Sequence, residues 1–510
     1  MSDSTQADAP ARERTPSAST GIAGLDEVLH GGFARDHVYL VEGDPGTGKT
    51  TLALQFLLAG AEQGETGLYV TLSESAAELH AVGVSHGWAL DRVHIFELTP
   101  SEAQLHPDNQ YTFFHPEEIE LSQTVQNILR HVEQVRPSRL VIDSLAELRL
   151  LAQEPQRYRR QALALKQYFE HKPCTVLLLD DRTSQNMERQ LHSVVHGVIT
   201  LERKTREYGK NRRRLEVTKL RGAPFIEGYH DFNIHTGGLM VFPRLIAAHH
   251  MADFQPDAIS SNVPELDALL GGGLDRGSST LLIGPAGAGK TTLATRYASA
   301  AVERGERVIF YTFDEGMTSL LARSESLNMP MRRYRAEKKI LIEQVDPAEL
   351  SPGEFAARVR RGVEEEKARV IVIDSLNGYL SAMPEEQFLT LQMHELLSYL
   401  SQQGVVTILV LAQHGVVGQM QSPVDLSYLA DTILLLRYFE AQGEVRRCVS
   451  VAKRRSSGHE RTIRELQIGG PTAVRVGAAL AEFRGVLTGV PEYTGAGNPL
   501  LTGASDGSRR

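Results

Sequence analysis

The chain has 510 residues, with 54 Lys and Arg against 63 Asp and Glu, giving a net charge of −9 at pH 7. Single cores stop growing near ~250–300 residues, so one ordinary domain is excluded and two large ones are expected. The acidic balance argues against a surface built chiefly for nucleic acid and leaves only local basic clusters, KNRRRLE at 210–216 and QRYRRQ at 156–161, for such a role. Cys174 and Cys448 are the only cysteines and fall in different halves, so no disulfide framework or paired metal-ligand spacing is offered. That usage fits a reducing, cytoplasmic interior, and no apolar run approaches the ~18 residues of a membrane helix.

In chain order, residues 1–19 are rich in Ser, Thr, Ala and Pro, lack the apolar stretch of a secretory signal, and are expected to form a disordered tail. The first domain, 20–245, alternates short apolar runs with helical periods. HVYLVEG at 37–43 reads as a strand and TTLALQFLLAGAEQG at 50–64 as a helix stopped by glycine. TGLYVTLS at 66–73, SRLVIDS at 138–144 and CTVLLLDD at 174–181 read as further strands. The seam is placed in RLIAAHHMADFQPDAISS, 244–261, and the second domain spans 246–485. Its runs RVIVIDS and VVTILVLAQ are apolar at successive positions, as strands buried on both faces must be. The fold class is α/β, with parallel sheets and sites at the carboxyl ends of strands. Residues 486–510 are small and polar, and a mobile tail is expected there.

The two halves repeat each other. Lys49 and Lys290, Asp26 and Asp267, and Glu74 and Glu315 are each 241 residues apart, whereas Asp143 and Asp374 are 231 apart. A repeat this long is a duplicated domain rather than a solenoid. The ten extra residues of the first half are assigned to a loop in 99–119, TPSEAQLHPDNQYTFFHPEEI.

GDPGTGKT at 43–50 and GPAGAGKT at 284–291 are glycine-rich phosphate loops, each between a strand and a helix. A polyphosphate concentrates negative charge, so holding it needs several backbone N–H groups aimed at one place, together with a helix amino terminus. Gly43, Asp44, Pro45, Gly46, Thr47, Gly48, Lys49, Thr50 and Thr51 are assigned to this role in the first half. Gly284, Pro285, Ala286, Gly287, Ala288, Gly289, Lys290, Thr291 and Thr292 take it in the second. The lysines would reach the β and γ phosphates of ATP, and the hydroxyls of Thr50 and Thr291 would hold Mg2+. A chance match in a Gly-rich turn does not explain two copies in register. Asp143 and Asp374 end apolar strands, where a Mg2+-water ligand is expected; the plainer role, capping a turn, is outweighed by the neighbouring loop. Glu74 and Glu315 close the strand after the loop helix, where a carboxylate would orient or deprotonate an attacking water rather than merely sit in solvent.

At these residues the chain resembles the KaiC family, the double-domain branch of the RecA-like P-loop NTPases. The resemblance rests on GDPGTGKTTLALQFL, VIDSL, RRRLEVTKLRGAPFIEG, DTILLLRYFE and KRRSSGHERTIRE in the family's order, across roughly 20–490. It implies a double-ring homohexamer with ATP between neighbouring subunits. Lys219, Leu220 and Arg221 would then approach nucleotide on the adjacent protomer, as would Lys453 and Arg455 in the second ring, and Arg447 matches a further family arginine. The plainer reading of these cations is a solvated basic strand end.

The resemblance has departures. Clock members of the family carry Glu-Glu at the catalytic strand end; this chain has Ser73-Glu74 and Asp314-Glu315, so first-ring hydrolysis would be either impaired or run on Glu74 alone, and the second ring would keep two carboxylates. Their Ser-Thr phosphoacceptor pair corresponds here to Ser427 and Tyr428; a local hydrogen bond is the plainer role for Ser427 and stands ahead of phosphorylation. The segment after 483–495 is short beside the regulator-recruiting tail of clock members. The resemblance thus implies an ATP-hydrolysing switch read by an unidentified signalling partner, with serine autophosphorylation as a further activity. A DNA-acting RecA-like motor and a non-hydrolysing nucleotide-binding scaffold are the alternatives.

Overall fold

The computed structural model describes residues 16–98, 116–152, 154–182, 191–206, 208–381, 389–413, 428–455, 458–470, 473–487 and 492–495. The chain divides into two compact units, Met1–Arg244 and Leu245–Arg510.

In the first unit the strands of the large sheet are β1 (Val38–Gly43), β2 (Gly67–Thr71), β3 (Val93–Glu97), β4 (Arg139–Asp143), β5 (Thr175–Asp181), β6 (Gly197–Lys204), β7 (Arg212–Leu220), β8 (Tyr229–His235) and β9 (Gly238–Phe242). They lie in the order β9-β8-β7-β6-β1-β5-β4-β2-β3. The run from β3 to β6 is parallel, and β7, β8 and β9 extend it by antiparallel pairing.

The second unit has the same sheet. Its strands are β10 (Ser279–Gly284), β11 (Arg307–Thr312), β12 (Ile340–Gln344), β13 (Ala368–Asp374), β14 (Val406–Ala412), β15 (Thr432–Ala441), β16 (Glu444–Arg454), β17 (Arg464–Ile468) and β18 (Val474–Ala479), ordered β12-β11-β13-β14-β10-β15-β16-β17-β18. The helices α1 (Lys49–Glu62) and α2 (Lys290–Glu303) follow the glycine loops of the two units.

Successive side chains of a strand point to opposite faces, and the apolar runs fill both. Leu282, Val308, Phe310, Val370, Val372 and Ile408 join one buried cluster with Leu293 and Tyr297 of α2. Their neighbours Leu281, Ile309, Tyr311, Ile371, Ile373 and Leu409 join another, with Phe355 and Val359 of helix Pro352–Glu364 and Leu396 and Leu400 of helix Leu389–Gln402. Each fully buried Leu, Ile or Phe contributes about 1.5–3 kcal/mol, so both helix layers are fixed to the sheet that carries the loops.

The repeated Asp26 and Asp267 are structural. Asp26 accepts from the Thr20 amide at 2.8 Å and from the Ser19 and Thr20 hydroxyls; Asp267 accepts from the Ser261 amide at 2.9 Å and from the Ser260 and Ser261 hydroxyls. Both tie the entering segment to the short helix ahead of the loop strand. The loop expected in 99–119 needs correction: its last residues begin a helix, Pro116–Val135. Proline at the first helical position is preorganised for that start. Residues 99–115 lie outside the described residues.

Candidate active sites

Each glycine loop leaves a fully buried or nearly buried strand and enters a helix through a left-handed glycine, Gly48 at φ 112° and Gly289 at φ 102°. That backbone region is open to glycine and strained for other residues. The opening glycines are packed against the next strand: a Cβ on Gly43 would lie 2.5 Å from the Leu201 carbonyl oxygen, and one on Gly284 would lie 2.4 Å from that of Leu436.

With the loop curled in this way, the lysine folds back beneath it. Lys49 Nζ donates to the carbonyls of Gly43 at 2.8 Å and Asp44 at 3.1 Å, and it also pairs with Asp181 at 2.7 Å. Lys290 Nζ donates to the carbonyls of Gly284 at 2.9 Å and Pro285 at 2.7 Å, and burial lowers its ammonium pKa to about 8. Asp181 was not singled out from the sequence. Its signal was the pair of carboxylates ending the apolar strand 174–181, and Ala412 occupies its register position in the second unit.

Thr50 Oγ1 lies 3.4 Å from Asp143 Oδ2, so the threonine after the lysine and the strand-end aspartate meet. Tyr69 also donates to Asp143, and burial raises the Asp143 carboxyl above its ordinary range. In the second unit Asp374 is bonded by Thr291, and burial pushes it up to about 6. Among the described residues no cluster of three or more His, Cys, Asp or Glu is arranged to hold a metal. One carboxylate and one hydroxyl per site nevertheless fit Mg2+, which binds through few protein oxygens and takes its remaining ligands from phosphates and water.

The catalytic candidates sit on matched backbones. Thr71 Oγ1 donates to the Glu74 carbonyl at 2.6 Å, and Thr312 Oγ1 donates to the Glu315 carbonyl at 2.7 Å. Glu74 Oε2 is buried without a hydrogen-bond partner, and burial together with the charges of Asp143, Glu78 and Asp181 raises its pKa. Glu315 instead pairs with Arg323 at 2.8 Å. Asp314, expected beside Glu315 as a second working carboxylate, accepts from the Ser375 hydroxyl.

A cavity of about 340 Å3 opens over the second loop, lined by Lys290, Thr291, Arg323, Leu327, Arg447 and Ile468 among others. Arg447 Nε donates to the Gly287 carbonyl at 3.1 Å, and Tyr438 donates to that of Ala286 at 3.1 Å. In the first unit Arg203 takes the place of Tyr438: its guanidinium would meet a Cβ on Gly46 at 3.1 Å. Arg203 and Tyr438 were not legible in the sequence, because only the folded sheet brings them to the loops; Arg323 and Leu327, also missed, reach the cavity from the helix Met317–Ser326 and its C-cap.

The remaining predicted cations lie elsewhere. Lys219 pairs across β7 with Val198, which neighbours Leu40, three residues before Gly43. Lys453 pairs with Ile433, which neighbours Leu281, three residues before Gly284. At ~3.3 Å per residue, each lysine is about 10 Å back from its own loop, toward the amino ends of the parallel strands. Lys219 donates to the carbonyls of His192 and of Val195, the latter at 2.8 Å, and Arg221 donates to Ser193 O at 2.7 Å. Lys453 donates to Ala430 O at 2.7 Å and Arg455 to Tyr428 O at 2.9 Å. Leu220, opposite Gly197, shares this edge. Ser427 lies outside the described residues; Tyr428 is exposed.

Two sheets of one topology, each with a glycine loop, a buried lysine, a strand-end aspartate and a following glutamate, make a tandem P-loop NTPase. The family described as "ATPase: KaiC" matches residues 18–246 and again 259–480.

The chain belongs to the KaiC family.

It is 27% identical over 486 residues to the circadian clock oscillator protein KaiC of Prochlorococcus marinus strain MIT 9313, covering 92% of this chain and 95% of that protein. Against the circadian clock protein KaiC2 of Synechocystis sp. it is 28% identical over 484 residues, covering 92% and 83%. Against KaiC of Synechococcus elongatus it is 27% identical over 481 residues, covering 92% and 91%. This KaiC-family ATPase therefore carries two RecA-like nucleotide-binding domains, each placed to bind ATP. The basic run at 212–214 does not form an open stripe: Arg214 pairs with Glu202 at 2.8 Å and lies 3.8 Å over the Tyr229 ring, and Arg212 is buried. No helix among the described residues is long and apolar enough to cross a membrane.

Proposed function

We propose that the chain works as an ATP-hydrolysing switch assembled as a double-ring homohexamer, in which each nucleotide is closed in by cations from the neighbouring copy. The observation that carries this reading is the distance between each unit's loop and its own strand-edge cations. Lys219 and Lys453 are about 10 Å behind their loops by strand register. Lys219, Arg221, Lys453 and Arg455 therefore serve phosphates presented by another chain, and hydrolysis depends on assembly.

In each site the loop amides and Lys49 or Lys290 grip the triphosphate. Thr50 with Asp143, and Thr291 with Asp374, hold Mg2+, which supplies charge neutralisation at the phosphates. Glu74 and Glu315 orient and deprotonate the attacking water. Leu327 and Ile468 offer an apolar wall for the base. In the second unit the γ-phosphoryl also passes to the Ser427 hydroxyl, and a cytoplasmic signalling protein reads the state of the rings.

Mixing tests the assembly. Chains carrying Lys49→Ala and chains carrying both Lys219→Ala and Arg221→Ala are each expected to lose first-ring turnover. Mixed hexamers regain part of it at interfaces where an intact loop meets intact cations. No recovery on mixing, with subunit exchange shown by native mass spectrometry, would refute trans completion. Incubation with ATP and Mg2+ followed by phosphosite mapping tests Ser427; an unmodified chain after many turnovers removes the autokinase activity.

A further inference from the structure

The two sites place the same glutamate in opposite charge settings. The 241-residue offset continues through the helices after the glutamates, with Leu79 and Leu320 buried at matching positions. At the place of Arg323 the first unit has Val82. Glu74 is surrounded by the negative charges of Asp143, Glu78 and Asp181, and Lys49 offsets them. Glu315 is paired with Arg323 at 2.8 Å, and the same guanidinium lines the cavity above Lys290 and Thr291.

We propose that Arg323 is a positioning residue of the second site, which divides its time between Glu315 and polyphosphate in the cavity, so that even with ATP bound Glu315 is held away from the attacking water for part of each turnover. The first site has Val82 at that position and runs without this restraint. The chemistry requires no added group. A part-exposed guanidinium shared between a carboxylate and a site for several phosphate charges moves toward the phosphates when these arrive, because the Coulomb attraction scales with their charge. Loading of the second site then weakens the hold on its base without ending it, and ADP, which lacks the γ-phosphate charges, releases Glu315 less than ATP does.

This inference rests on Glu315 as the water-activating group, and the experiment separates the two claims. In full-length protein carrying Glu74→Gln to silence the first site, Arg323→Ala is expected to raise kcat on the order of fivefold, the worth of one part-exposed ion pair. KM for ATP should also rise, because the phosphates lose a cation. Arg323→Lys keeps the charge and should restore the parental kcat. Glu315→Gln in the same background should abolish turnover whether or not Arg323 is present. Conversely, Val82→Arg, a substitution confined to the first unit, should slow the first site when that site is read in a Glu315→Gln chain. If Glu315→Gln retains turnover, the assignment of the base fails. If Glu315→Gln is inactive but Arg323→Ala leaves kcat unchanged or lower, or Val82→Arg has no effect on the first site, the restraint is overturned.

Discussion

The two loop lysines begin from unlike resting states, so their removal should not cost the same. Lys290 leaves only two carbonyl oxygens when it turns to phosphate, whereas Lys49 must also give up the Asp181 carboxylate at 2.7 Å. A unit charge pair at ~3 Å with an effective dielectric of ~20 attracts by roughly 5 kcal/mol. Exchanging two charge-assisted carbonyl bonds, at about 1.5 kcal/mol each, offsets about 3 kcal/mol of that. The net for Lys290 is then about 2 kcal/mol, so Lys290→Ala should weaken ATP binding at its own site by roughly 30-fold. Asp181 is 30% exposed, so its pair with Lys49 is worth about 1 kcal/mol after screening. Lys49→Ala should therefore cost about fivefold less, and Asp181→Asn should tighten the first site by about fivefold. Equilibrium titration of each variant with a fluorescent ATP analogue resolves the altered and the intact classes of site. The reasoning is refuted if Lys49→Ala costs as much as Lys290→Ala, or if Asp181→Asn weakens binding.

Glu74→Gln should lower first-site hydrolysis by about 100-fold or more, measured as phosphate release in a Glu315→Gln background. In that background the parental rate should fall on acidification from a pH above the ordinary carboxylate range, because the base works ionised and burial raises its pKa; a decline confined to the ordinary range would remove Glu74 as the base. Arg139 is fully buried, pairs with Glu65 and donates to the carbonyls of Ser19 and Phe56 at 2.7 Å each. Arg139→Ala should destabilise the first unit by about 3–5 kcal/mol, visible in denaturant unfolding while ATP binding in the second unit persists. Gly284→Ala drives a Cβ to 2.4 Å from the Leu436 carbonyl oxygen, so it should displace the second loop and lower ATP affinity there alone, read by the same titration.

Sequence alone was enough to read the duplication, the α/β class and the phosphate loops, because each is a local requirement. Strands buried on both faces must be apolar at successive positions, and a backbone that approaches phosphate must be glycine at fixed spacing. Thr50 meeting Asp143, and Thr291 meeting Asp374, follow from the same rule, since strand ends and loop share one edge of a parallel sheet. What the tertiary structure decided is charge environment. Asp181 beneath Lys49, the turn of Asp314 to Ser375, and Arg203 or Tyr438 over the loops join residues distant in sequence, and Arg323 meets Glu315 only because the helix after the glutamate turns its side chain back. Electrostatic energy depends on separation and burial in space, and neither is written in the order of residues; two domains with one motif set can therefore hold the same glutamate once among carboxylates and once paired with an arginine.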